Sequence, residues 1–133
     1  KIITPHTGEF HKIFPEINKN LSGIDKILYA LKLIKTNILL KGPNTIIASY
    51  DKKIVINTHS SPELAIIGSG DVLSGLIVSL IGKKKMSPFF SGCAAAWLHG
   101  DIAKKYGKGL IAEDIVKAIP GALKRLKDGK YFK

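Results

Sequence analysis

One cysteine, one tryptophan, one methionine and a single arginine among 21 basic residues are what this chain of 133 residues has least of. A lone cysteine, Cys93, excludes an internal disulfide and any zinc site built from several cysteines. Set in the apolar stretch Cys93-Ala94-Ala95-Ala96-Trp97-Leu98, it reads as a buried, inert thiol. The shortage of arginine weakens the nucleic-acid reading that a formal net charge of +11 invites. Arginine is the side chain that forks onto phosphates and base edges. Here Arg125 stands alone, the lysines are scattered, and their dense run Lys83-Lys84-Lys85 is placed in a loop. They read as solvated surface, and no nucleic-acid partner is expected. His6, His11, His59 and His99 show no metal-binding spacing, so no metal site made of protein residues alone is expected. No apolar run approaches the roughly 18 residues of a membrane span, and there is no repeat and no signal-peptide pattern. A cytoplasmic location away from membranes is the expectation.

What is present is a 45% apolar chain, long enough for one domain with a core and too short for two, so residues 1–133 are read as a single unit. It opens directly in the strand-like Lys1-Ile2-Ile3-Thr4, which suggests a fragment whose earlier part is missing. Thr7 reads as the cap of a short helix near Glu9–Phe14. Ser22-x-x-Asp25 resembles a capping box, and Ile24, Ile27, Leu28, Leu31 and Ile34 follow it at helical spacing. Asn37–Leu40 is a short strand and Lys41-Gly42-Pro43-Asn44 a turn. Thr45–Ser49 and Lys53–Asn57 form a hairpin around Tyr50-Asp51-Lys52. Asp71–Ile81 is apolar nearly all round and predicts a buried helix on a sheet. Ser87-Pro88 opens a long helix to about Tyr106 that Gly107 ends. A last helix covers about Glu113–Lys127, where Pro120 predicts a break or kink. The order β-α-α-β-β-β-α-α-α indicates an α/β fold with a sheet covered by helices.

The most telling local feature is Gly68-Ser69-Gly70-Asp71, which joins the loop His59-Ser60-Ser61-Pro62-Glu63 and its sequel to that apolar helix. Two glycines admit a ligand close to the backbone. The first helical turn points unpaired N–H groups and the positive dipole end into the same space, which attracts phosphate. An aspartate among such donors repels phosphate. It makes better sense as a base, a metal ligand or both, beside a transferring phosphoryl group. A short glycine turn before a helix is also ordinary α/β architecture, with Asp favoured in a first turn.

Thr4-Pro5-His6-Thr7-Gly8-Glu9 passes from a strand end into a helix, so His6 lies where open α/β sheets bind ligands. On that stretch alone a surface turn histidine is the better reading. Lys41-Gly42-Pro43-Asn44-Thr45 follows a second strand. Its lysine, glycine and hydroxyl suit a nucleotide phosphate or ribose, although Lys-Gly-Pro-Asn is also common turn chemistry. His99 and Asp101, in Trp97-Leu98-His99-Gly100-Asp101, are too few for a metal site and read best as packing under the glycine loop.

Taken in order, Thr4-Pro5-His6-Thr7-Gly8-Glu9, Leu40-Lys41-Gly42-Pro43-Asn44-Thr45, Gly68-Ser69-Gly70-Asp71-Val72-Leu73-Ser74-Gly75 and Leu98-His99-Gly100 resemble the ADP/ATP-dependent NAD(P)H-hydrate dehydratases. These belong to the ribokinase-like superfamily, many of whose members were first labelled carbohydrate kinases. The resemblance spans nearly the whole chain and implies a ribokinase-like layered sheet covered by helices, of which this is the C-terminal half. The activity it implies is metabolite repair: hydrated NADH or NADPH is dehydrated while ADP, or ATP in some members, is consumed, ADP giving AMP and phosphate. Mg2+ is implied with the nucleotide. By similarity Asp71 is the catalytic base or acid at the ring hydroxyl and also touches the hydrated dinucleotide, as does His6. Gly70 with the neighbouring helix N–H groups forms the anion hole, Gly68, Ser69 and Gly70 touch the nucleotide, and Lys41, Gly42, Pro43, Asn44 and Thr45 border its adenine end. A homo-oligomer, or association with the missing N-terminal part, is implied as well. The alternatives are a small-molecule kinase of the same superfamily, in which Asp71 deprotonates a substrate alcohol, and a truncated, non-catalytic remnant. Two departures stand out. Ile66-Ile67-Gly68 occupies the place where the family often carries Thr-Gly-Gly, which narrows the approach of a diphosphate. The family's domain is also about twice as long.

Overall fold

A computed structural model describes residues 1–128. Its elements run β1 (Ile2–Ile3), α1 (Thr7–Ile13), α2 (Gly23–Leu33), β2 (Asn37–Leu40), β3 (Thr45–Ala48), β4 (Ile54–Asn57), a single 3₁₀ turn (Pro62–Leu64), α3 (Ser69–Lys84), α4 (Pro88–Tyr106) and α5 (Ala112–Lys127). The strands form one sheet in the order β1-β2-β3-β4. β1 and β2 are parallel, with Ile3 opposite Ile38, and the two following pairs are antiparallel. The β3–β4 hairpin is the one expected from its two β-branched runs and polar turn.

Strand alternation decides which helices go where. Ile38, Leu40 and Ala48 point to one face, where Phe10, Phe14, Ile27, Ala30 and Leu31 of the α1–α2 region cover them. Leu39 and Ile47, directly paired in register, point to the other face and pack under Leu73, Leu76, Ile77, Leu98, Ile102 and Ile115 of α3, α4 and α5. The result is three layers, helix–sheet–helix, with β2 buried along its whole length.

Several local expectations need correction. α1 starts at Thr7, and its cap is His6: the Nδ1 atom accepts from the Glu9 N–H at 3.2 Å, and the Glu9 carboxylate accepts from the His6 N–H at 2.8 Å. An imidazole nitrogen thus does the work usually given to a hydroxyl. α3 begins two residues early, so Ser69 and Gly70 belong to its first turn, and it runs on through Lys83 and Lys84, with Lys85 as its cap. It is also not buried all round, since Val78 is 68% exposed. α5 runs through Pro120. The carbonyl that Pro120 leaves without its usual helical donor is that of Val116, an exposed residue. No helix among the described residues is long and apolar enough to cross a membrane.

Candidate functional site

The carboxyl ends of β1 and β2 lie side by side. The Lys41 N–H donates to the Pro5 carbonyl at 2.8 Å, and His6 pairs with Lys41 in an isolated parallel bridge. The two motifs that sequence places more than thirty residues apart therefore meet at the top of the sheet. The start of α3 comes up against them, with the Thr4 hydroxyl 3.2 Å from that of Ser74 in its second turn. Between these parts lies a cavity of about 1000 Å³. His6, Lys41, Gly42, Pro43, Asn44 and Thr45 form one wall, and Ser69, Gly70 and Leu73 the base. Thr58, Ser60, Ser61 and Ala65 stand opposite, with Ile66 and Ile67.

Gly68 caps α3 from the left-handed region, at φ 84°, where a side chain would be strained. Lacking a side chain, it leaves the helix end uncapped. The Val72 N–H reaches the Gly68 carbonyl at 3.1 Å, while the N–H groups of Gly70 and Asp71 have no acceptor among the described residues. Lys41 adds a full charge beside these donors, since a Cβ built on Gly70 would lie 3.1 Å from its Nζ. The same ammonium is 3.7 Å from a Glu9 carboxylate oxygen. Glu9 is held below its ordinary carboxylate value, first by the His6 N–H and then by the charge of Lys41. The Lys41 amine is thus tethered on one side and open to the cavity on the other.

Beneath this turn the Ser69 hydroxyl lies 3.3 Å from Nε2 of His99, and both side chains are buried. Burial pushes the imidazole down to about 4. His99 therefore supports the glycine loop from below. The opposite wall is held by a second pair: His59 Nε2 is 3.0 Å from Asp101 Oδ1, with the His59 ring stacked on Trp97 at 4.7 Å. Asp101 is buried and also faces Lys105 and Arg125.

Of the residues singled out from sequence, His6, Lys41, Gly42, Pro43, Asn44, Thr45, Ser69 and Gly70 line the cavity. Gly68 and Asp71 do not: Gly68 shapes the turn, and Asp71 sits exposed on it next to Gly70, with no hydrogen-bond or ion-pair partner among the described residues. Sequence reasoning assigned no role to Glu9, although its spacing from His6 is that of a capping box. It also missed the Thr58–Ser61 wall, whose only signal is a run of polar loop residues. Among the described residues no three carboxylate, imidazole or thiol groups converge on a metal site. Mg2+ needs no such cluster, since one or two carboxylates together with phosphates and water hold it.

Residues 1–120 match the NAD(P)H-hydrate dehydratase family. A bifunctional NAD(P)H-hydrate repair enzyme of Archaeoglobus fulgidus is 35% identical over 130 residues, covering 95% of this chain and 26% of the relative. An ADP-dependent (S)-NAD(P)H-hydrate dehydratase of Neisseria meningitidis is 34% identical over 126 residues, covering 88% of this chain and 42% of that one. The solved ADP/ATP-dependent NAD(P)H-hydrate dehydratase of Bacillus subtilis, co-crystallized with ATP/Mg2+ and soaked with CoA, superposes with a TM-score of 0.81 at 30% identity, over 93% of this chain and 48% of that one. The chain thus spans less than half the length of these relatives. A ribokinase-like superfamily protein of Enterococcus faecalis shares the fold, with a TM-score of 0.79. With its family match, its relatives and its fold in agreement, this chain belongs to the NAD(P)H-hydrate dehydratase family.

Proposed function

We propose that the cavity is the nucleotide and substrate site of an ADP- or ATP-dependent dehydratase that returns hydrated NADH or NADPH to the reduced dinucleotide. One observation carries the reading. The free N–H groups of Gly70 and Asp71 and the Lys41 ammonium converge at one place, and the only carboxylate of that helical turn, Asp71, has no partner among the described residues. A phosphate chain answers the donors, and an unpaired carboxylate beside it suits proton transfer.

In this reading Gly68, Ser69 and Gly70 hold the phosphates, and Lys41 to Thr45 border the nucleoside. His6 meets the hydrated nicotinamide half, its ring held in place by the cap it makes with Glu9. Asp71 accepts the proton of the ring hydroxyl as that oxygen takes the terminal phosphoryl group of ADP, and AMP departs. The phosphate then leaves the ring carbon with the C–O bonding pair and takes up the proton lost from the neighbouring carbon, which restores the double bond. Asp71 would also hold Mg2+, which would supply positive charge to offset that of the phosphates. The exposed Ile67 and the adjacent Ile66 make the rim apolar. Among the described residues the outer edge of β1 is unpaired, which suits pairing with a further segment or a second copy.

The test is to incubate the protein with hydrated NADH and ADP, and separately with candidate alcohols and ATP. Recovery of NADH with AMP and phosphate supports the dehydratase. Phosphorylated alcohol without NADH recovery points instead to a kinase of the same superfamily, and nucleotide binding without either product to a non-catalytic remnant.

A further inference from the structure

A buried pair on the cavity floor has a chemical choice to make. Ser69 is 4% exposed and His99 6%, their polar atoms are 3.3 Å apart, and both face the cavity. A serine hydroxyl owns one proton and two lone pairs, and a neutral imidazole carries its proton on either nitrogen. If His99 Nε2 is the acceptor, the Ser69 proton is used up on the ring and only oxygen lone pairs face the cavity. A phosphate oxygen arriving at the α3 N-terminus then meets a lone pair. If Nε2 carries the proton, it donates to Ser69 Oγ, and the hydroxyl proton is free to turn toward the ligand. The ring stays neutral through the physiological range because it is buried. The alternatives are therefore two tautomers, not two charge states.

We propose that His99 is the positioning residue of the phosphate subsite: as the Nε2–H tautomer it donates to Ser69 Oγ and turns the Ser69 hydroxyl into the cavity as a third donor beside the N–H groups of Gly70 and Asp71. This rests on the reading of that helix end as the phosphate site. Anion binding there favours this tautomer, because the other leaves the phosphate facing an unprotonated oxygen. The role differs from plain packing in one respect: it requires a particular proton on a particular nitrogen.

The experiment is nitrogen NMR on the 133-residue protein labelled at histidine, with His6, His11 and His59 assigned by single substitution, in the presence and absence of saturating ADP. In the ADP complex His99 is expected to show a protonated Nε2 and an unprotonated Nδ1. Ser69→Ala removes the acceptor and is expected to weaken ADP binding about tenfold, the worth of one well-placed hydrogen bond. His99→Gln, whose side-chain amide can still donate, is expected to bind within about threefold of the parent. Parent protein that binds ADP with His99 protonated on Nδ1 overturns the proposal and leaves the phosphate site standing. So does an ADP affinity in Ser69→Ala equal to that of the parent. Parent protein that binds no ADP overturns the phosphate site, and this proposal with it.

Discussion

Acidification offers a direct reading of the buried imidazole at the heart of the site. His99 is pushed by burial from an ordinary value of 6.5 down to about 4. Above pH 6.5 both folded and unfolded chains hold it neutral, and its contribution does not change. Between pH 6.5 and about 4 the unfolded chain takes up a proton that the folded chain refuses, so stability falls as pH falls. Each pH decade of that difference is worth about 1.4 kcal/mol, so the whole window costs about 3 kcal/mol. Between pH 7.5 and 5 the loss from this one group is about 2 kcal/mol. Urea unfolding of the parent and of His99→Gln at both pH values isolates it. The variant has its own stability, but its loss on acidification should be about 2 kcal/mol smaller than that of the parent. His11 is lowered in the same direction by burial and by Lys26 and Lys19, so His11→Gln belongs in the series as a separate control. Glu9 and Asp51, both lowered, lose their contributions only as pH falls below the ordinary carboxylate range, and so do not intrude above pH 5. An identical loss on acidification in the parent and His99→Gln would refute a buried, neutral His99.

Three further outcomes concern the glycine loop and the wall facing it. Asp71→Asn should nearly abolish dehydration while leaving ADP affinity unchanged or tighter, because a negative charge beside the phosphates is gone; parallel loss of both, by calorimetry and product assay, would count against the proton-transfer role. Gly70→Ala places a Cβ 3.1 Å from the flexible end of Lys41, so melting should barely change while ADP binding weakens about tenfold; unchanged affinity would argue that no phosphate approaches there. Gly100→Ala puts a Cβ 1.8 Å from the His59 backbone carbonyl, which cannot step aside as a side chain can. It should cost about 3 kcal/mol or more, whereas Gly75→Ala, with nothing within 4 Å, should gain about 0.5–1 kcal/mol from helix propensity. Similar melting temperatures for these two variants would contradict the packing of the His59 loop against α4.

The elements that could be read along the chain were those whose signals are local. The Ser22 cap, the β3–β4 hairpin, the Ser87-Pro88 start of α4 and its end at Gly107 each depend on neighbours a few residues away. The element order follows from them. Where the expectations failed, the deciding circumstance was still close by in the chain. His6 replaced Thr7 as a cap because its ring folds back onto the Glu9 N–H. α3 took Ser69 and Gly70 into its first turn because Gly68 adopts a left-handed conformation that ends the loop early. Pro120 stayed inside α5, where the residue it leaves without a helical donor, Val116, is exposed.

Gly68-Ser69-Gly70-Asp71, the His6 turn and the Lys41 turn were recognisable from residue type alone, since glycine freedom, helix-end donors and a lysine beside a strand end are properties of short segments. Their convergence was not. The pairs that build the floor and far wall of the site, Ser69–His99 and His59–Asp101, are 30 and 42 residues apart. No short-range pattern encodes them. Nor could sequence show that Asp71 stays outside the cavity wall while Gly70 enters it, because one residue along a helix turns the side chain by about 100°. The chain alone specified which groups can bind phosphate and move a proton. Packing α3 and α4 against the shared face of the sheet determined which of them meet.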